Sequence, residues 1–165
     1  MKFRHSLWAM AVLFFLGLAN ASAEELNLSP ARIAVLSQIL PLKLNLKLKL
    51  KLVPGDCEAF RTNSPSRCVS GDCEGILKQS RIWCETKDCE GLAANSRIWC
   101  ETADCEGLAA GSRTWCETGD CEGIAAGSRT WCETGDCEGL VTQSRTWCET
   151  EACEDLVNGR LSCNQ

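Results

Sequence analysis

Fourteen of the 165 residues are cysteine, and their spacing is the feature most able to do chemistry. From Cys57 onward they follow C-x10-C-x4-C without a break, except that the last gap shortens to nine residues. The first cysteine of each unit stands at Cys57, Cys73, Cys89, Cys105, Cys121, Cys137 and Cys153. The second stands at Cys68, Cys84, Cys100, Cys116, Cys132, Cys148 and Cys163. Thiols at this density serve as disulfide staples or as thiolate metal ligands. Structural zinc sites favour C-x2-C pairs with histidine. The chain has no such pair, and its single histidine is His5. Disulfides are therefore expected, with a thiol-rich metal binder or a modified-peptide precursor as the alternative. Two pairings are open. Pairing across the four-residue gap leaves Cys57 and Cys163 over. Pairing across the longer gap (57–68, 73–84 and so on to 153–163) uses all fourteen, and completeness favours it.

The rest of the inventory excludes much. There is no tyrosine, and both methionines, Met1 and Met10, lie in the first ten residues with His5. A chain that loses its start has no imidazole for general-base or metal chemistry. Asp88, Asp104, Asp120 and Asp136, with Glu90, Glu106, Glu122 and Glu138, form carboxylate columns that could take Ca²⁺ weakly or make a solvated rim. Near-copies of one site with no unique residue argue for repeated binding, so no enzyme, cofactor or resident metal is expected.

These residues need elements to position them. Lys2 and Arg4, the apolar run Leu7–Leu18 and Ala21-Ser22-Ala23 read as a secretory signal over 1–23. Its removal leaves no stable membrane insertion, and a secreted location (extracellular or periplasmic) is expected. Residues 24–54 form a cap segment. Ser29-Pro30 opens a helix as N-cap and first residue, ending near Pro41. Leu42 to Leu52 then alternate with Lys43, Asn45, Lys47, Lys49 and Lys51, the period-two pattern of a strand. That strand reads as a cap over the end of the body, its lysines blocking further pairing, or as a cationic membrane-surface strand.

Residues 55–165 are seven 16-residue repeats with consensus CEGLAAGSRTWCETGD. They carry ten basic against twenty acidic side chains, net −10, while 24–54 carry five against two. Nucleic acid is thus an unfavourable partner. Only 19 of 111 residues here are Leu, Ile, Val, Phe or Trp, about 17%, below the level that normally sustains a core. Staples must hold the fold.

A 16-residue unit is too short for a helical hairpin, and Thr and Trp favour extended structure, with GLAAG as a helical turn or an inner wall. The expected fold is a small disulfide-rich, β-rich array of β-solenoid-like coils with an N-terminal helix/strand cap. In such coils Trp83, Trp99, Trp115, Trp131 and Trp147 stack outward with Arg97, Arg113, Arg129 and Arg145, forming a ligand-binding ladder roughly 20 Å long. Packing of the tryptophans between coils is the competing reading. Thr86, Thr102, Thr118, Thr134 and Thr150 also recur, as do Thr114, Thr130 and Thr146. They resemble the arrays of insect ice-binding solenoids, although Thr and Cys share a face here.

The motifs SRIWCETKDC (80–89), CETGDCEG (116–123 and 132–139) and Cys68-Val-Ser-Gly-Asp-Cys73-Glu-Gly resemble a stretch of the thaumatin-like proteins. That family carries R-x-W-x-R-T-x-C followed by C-x-T-G-D-C-G-G. The likeness covers about twenty residues, reiterated. The family's arginine before threonine is Glu85, Glu101, Glu117, Glu133 or Glu149 here, after an additional cysteine. The resemblance implies pairing across the longer cysteine gap and an extracellular, defence-like, glycan-contacting role. The function expected is binding of an extended extracellular ligand, a cell-surface glycan first. A polyprotein cut into antimicrobial units is a further possibility, weakened by the lack of dibasic sites between repeats.

Overall fold

The computed structural model describes residues 29–39 and 42–163, so the signal-sequence reading of 1–23 lies outside the described residues. It overturns the β-solenoid. Among the described residues there is no strand. The helices are α1 (Pro30–Ile39), α2 (Asp56–Arg61), α3 (Gly71–Lys78), α4 (Lys87–Ala94), α5 (Ala103–Ala110), α6 (Gly119–Ala126), α7 (Gly135–Thr142) and α8 (Glu151–Val157). Single 3-10 turns separate the repeat helices: Pro65–Arg67, Arg81–Trp83, Arg97–Trp99, Arg113–Trp115, Arg129–Trp131 and Arg145–Trp147.

Local chemistry explains the helices. Thr86, Thr102, Thr118, Thr134 and Thr150 are N-caps, as is Ser70, each hydroxyl accepting from the backbone N–H of the cysteine three residues on. In α3 to α7, an aspartate and a glutamate follow in the first turn, where the helix dipole favours negative charge. Each of these helices stops at a left-handed residue, Gln79, Asn95, Gly111, Gly127 or Gln143. The next N–H then reaches five residues back, as Ser96 does to the Gly91 carbonyl at 3.0 Å, a Schellman closure. The segment expected as a strand is thus a 3-10 turn, in which Cys100 N–H bonds the Arg97 carbonyl at 3.1 Å, followed by an extended link into the next N-cap.

The cysteines pair differently from the favoured sequence reading. Six bonds cross the short gap: 68–73, 84–89, 100–105, 116–121, 132–137 and 148–153. The two left over, Cys57 and Cys163, pair with each other across 106 residues. That bond requires the array to curl. Two strap residues accompany each repeat (below), about 6.6 Å, so a straight run from α2 to α8 would span about 40 Å. Cys163 lies six residues beyond Val157 and reaches at most about 21 Å. Helix α1, about 15 Å long, packs against α2, α5 and α6 and therefore lies on the inner side of the curl. Each repeat donates one large apolar side chain to a single buried cluster: Phe60, Ile76, Leu92, Leu108, Ile124, Leu140 and Leu156. Ile33 and Val35 of α1 join them. Glycine at the third position of five repeats admits the disulfide of the following unit: a Cβ at Gly91 would stand 2.8 Å from Cys105 Sγ.

Residues 42–53 form a strap with the expected alternation, leucines half-buried or buried and Lys43, Asn45, Lys47, Lys49 and Lys51 exposed. It does not cap the end of the body; it runs along the array. Its partners are carboxylates. Asp56, Asp72, Asp88, Asp104, Asp120 and Asp136 are fully buried, and each accepts four hydrogen bonds. For Asp104, Oδ1 takes Glu117 N–H at 2.9 Å and Thr118 N–H at 3.0 Å, while Oδ2 takes the Thr118 hydroxyl at 2.9 Å and Lys47 N–H at 2.8 Å. The strap donors Val53, Lys51, Lys49, Lys47, Asn45 and Lys43 meet the six aspartates in reverse order, two strap residues for each sixteen of the array.

Asp104→Ala leaves four donors without an acceptor and is expected to cost about 3 kcal/mol or more, against about 0.5–2 kcal/mol for the cap lost in Thr118→Val; chemical denaturation of the oxidised chain measures both. In the chain-entropy treatment the long disulfide outweighs a short one, roughly 4–5 against about 2 kcal/mol. The double variant Cys57→Ser/Cys163→Ser should therefore lose about 4–5 kcal/mol, and a loss below about 1 kcal/mol would refute the closure of the array by this bond.

Candidate functional site

The 3-10 turns and the caps place the repeated charged and aromatic side chains in two ladders. In the first, a cation from one repeat lies over the indole of the next. Arg81 sits 4.1 Å from the Trp99 ring centroid, Arg97 4.0 Å from Trp115, Arg113 4.0 Å from Trp131 and Arg129 4.3 Å from Trp147. Trp83, the first rung, takes Lys78 at 3.8 Å. Each ladder arginine also approaches a carboxylate on the following helix: Arg81–Glu90, Arg97–Glu106, Arg113–Glu122 and Arg129–Glu138, at 3.6–3.8 Å. The rungs remain partly open: Trp83, Trp115, Trp131 and Trp147 keep 43–45% of their surface exposed, and Trp99 is half-buried. Desolvated cation–π pairs contribute about 1–2 kcal/mol and exposed ones less, so these stacks chiefly fix ring orientation.

Every tryptophan singled out from the sequence is in this ladder. So are Arg97, Arg113 and Arg129. Arg145 is not, for the next unit has no indole, and it meets neither ring nor carboxylate among the described residues. Arg81 and Lys78 were missed. Their signal was present, since Arg81 recurs in register with the other arginines, but strand parity placed Arg and Trp side by side rather than across adjacent repeats. Beside the rungs Ile82 and Ile98 are exposed, 79% and 76%; Thr114, Thr130 and Thr146 occupy the same position later in the array.

The second ladder joins strap to body. Lys43 pairs with Glu149 at 3.7 Å, Lys47 with Glu117, Lys49 with Glu101 and Lys51 with Glu85 at 3.4 Å. Asn45 Nδ2 donates to Glu133 at 2.5 Å. Glu85 also accepts from Gly71 N–H at 2.9 Å; this bond and then Lys51 hold its carboxyl below the usual carboxylate range. Hydrogen bonding to Glu117 and Glu101 raises Lys47 and Lys49 above the ordinary lysine range.

The remaining columns have structural partners. The N-cap threonines each donate to an aspartate and accept from a cysteine N–H, so their hydroxyls are committed inward. The aspartate oxygens are filled by four donors, and Glu90, Glu106, Glu122 and Glu138 face arginine. Aspartate and two cysteine sulfurs do converge in each unit, as at Asp104, Cys116 and Cys121. The sulfurs are joined to each other, and no cysteine among the described residues is free. A cleft of about 340 Å³ beside α1 is lined by Arg32, Asn63, Ile76, Leu77, Gln79 and Leu92, among others; the lining includes no carboxylate, thiol or imidazole.

No protein-family model, curated protein or solved structure matches the chain. Seven disulfides fit an oxidising compartment, and no helix among the described residues is long and apolar enough to cross a membrane. The Cys153–Cys163 bond implied by the thaumatin-like resemblance is not formed; both partners are taken elsewhere.

The ladder charges set a pH window. A carboxyl lowered on folding stabilises above its unfolded value, about 4.3 for glutamate, and that contribution disappears as pH falls through the folded value. A raised lysine stabilises below about 10.4 and loses its contribution as pH climbs through the folded value. The melting-temperature gap between the unaltered chain and Glu85→Gln should be open at pH 7 and narrow as pH falls below the ordinary glutamate range. The gap for Lys49→Gln should be open at pH 7 and narrow only as pH climbs beyond the ordinary lysine range. A gap independent of pH in either case contradicts the assignment.

Proposed function

We propose that the chain is a secreted, non-enzymatic, disulfide-stapled scaffold whose tryptophan ladder binds an extended ligand, a neutral cell-surface glycan in the first instance. The observation that carries this reading is the row of five indoles at one position of successive repeats, each held by a cation yet still partly open to solvent. Sugar rings stack on such indoles through their C–H faces, and rungs at a fixed interval suit a polymer with its own repeat. The charge balance selects among glycans. The ladder arginines are already engaged by indole and glutamate, and the repeat region is net −10, so a polyanionic chain is repelled. Neutral chains remain the best fit. The signal-like start at 1–23 and the disulfides support release from the cytoplasm.

Oligosaccharides of two to eight residues from chitin and cellulose, titrated against intrinsic tryptophan fluorescence, test this. Emission should change, and the dissociation constant should fall with ligand length as more rungs engage. The double variant Trp115→Ala/Trp131→Ala should weaken the longest ligand at least tenfold while leaving the melting temperature within a few degrees. No change with any oligosaccharide up to millimolar concentration refutes the reading, as does equal binding to a polyuronate.

A further inference from the structure

The strap has a second edge. In an extended chain, the N–H and C=O of one residue point to the same side and those of the next to the other. The odd-numbered residues Lys43 to Val53 turn their N–H groups to the buried aspartates. The leucine N–H and C=O groups therefore line the opposite edge. Among the described residues, the amides of Leu44, Leu46, Leu48, Leu50 and Leu52 find no acceptor, and no strap carbonyl from Leu42 to Leu52 finds a donor. Buried backbone donors are almost always paired, so these five amides, at every second residue of the strap, mark an edge that meets water. Such an edge, held extended by a fixed ladder on its other side, is a template for strand addition.

We propose that this edge accepts an extended peptide that alternates apolar and acidic residues. A strand added beside the strap continues both of its faces. Its inward side chains would extend the leucine row and favour apolar residues. Its outward side chains would lie beside Lys43, Lys47, Lys49 and Lys51; each already meets one glutamate of the body but keeps 58–68% of its side chain exposed, so a carboxylate on the added strand would share that lysine from the open side. The same charges disfavour a second copy of this chain: its own strap would set lysine beside lysine, and two repeat regions of net −10 would approach each other. The register is specified, because a one-residue slip exchanges the apolar and acidic rows. This surface is separate from the tryptophan ladder.

Amide exchange followed by NMR on the full oxidised chain tests both premise and proposal. In the free protein Lys43, Asn45, Lys47, Lys49, Lys51 and Val53 should be protected and the alternate leucine amides unprotected. The probe is a ten-residue peptide of alternating Leu and Glu. It should slow the leucine amides at least tenfold at submillimolar concentration. The same peptide N-methylated at alternate residues, and a Leu/Lys peptide of equal length, should leave them unchanged. Protection of the leucine amides in the free protein overturns the proposal, as does the absence of slowing at millimolar Leu/Glu peptide. Equal binding of the Leu/Lys peptide overturns the charge argument. Protection that grows with protein concentration alone assigns the edge to a second copy instead.

Discussion

The buried aspartate with four donors is the interaction on which the rest of this molecule depends. Desolvating a carboxylate is expensive unless its oxygens are filled with hydrogen bonds, and here they are. Each aspartate takes two backbone amides and the cap hydroxyl from the loop entering the next helix, and one amide from the strap. One side chain thereby fixes three backbone segments at once. The cap hydroxyl also holds the helix that follows, so the position of each helix passes to the next through Asp and Thr, as from Asp88 through Thr102 to Cys105. The nearest-neighbour character of repeat proteins has a defined atomic carrier here.

Disulfides and carboxylates divide the work. With one large apolar side chain per repeat, the core cannot select a single structure by packing alone. The short bonds tie each turn to the helix it precedes and fill the space left by Gly75, Gly91, Gly107, Gly123 and Gly139, so sulfur serves as core as well as cross-link. The bond between Cys57 and Cys163 acts at another scale. It joins the two ends of a curled array, which otherwise fray first in a structure whose units contact only their neighbours.

Several of these features were legible in the sequence and several were not, for identifiable reasons. Ser29-Pro30 announced α1, and the structure starts that helix at Pro30. The Leu/Lys alternation announced an extended segment, but period two says nothing about a partner with period sixteen. Counting six strap donors against six aspartates was the available signal. Threonine favours strands by propensity, and here its neighbours override that preference. Thr102, followed by Asp104 and Glu106 and closed by Gly111 in the left-handed region, is a capped two-turn helix. Completeness favours the longer-gap pairing only where the first and last cysteines stand far apart, which holds for a straight array and not for one in which Cys57 meets Cys163. The tryptophan column was plain from its sixteen-residue period. Its cations were only partly found, because stacking runs between repeats, where strand parity gives no guidance.

The fixed ratio of two strap residues to one repeat has a further consequence for how such a molecule can change length. A duplicated repeat brings its own cap, disulfide, glycine and aspartate, and could be inserted without disturbing its neighbours' chemistry. It would also bury a carboxylate with one of its four donors missing unless the strap gained one Leu-Lys pair, since a single added residue would turn the leucines to water. Strap and array must therefore lengthen together, in steps of two and sixteen. Asn45 shows which part of the strap is free to vary: its backbone N–H meets Asp120 at 2.7 Å as any residue's would, while its side chain still reaches Glu133 without a charge. The backbone sets the register, and the side chains only adjust how firmly it is held.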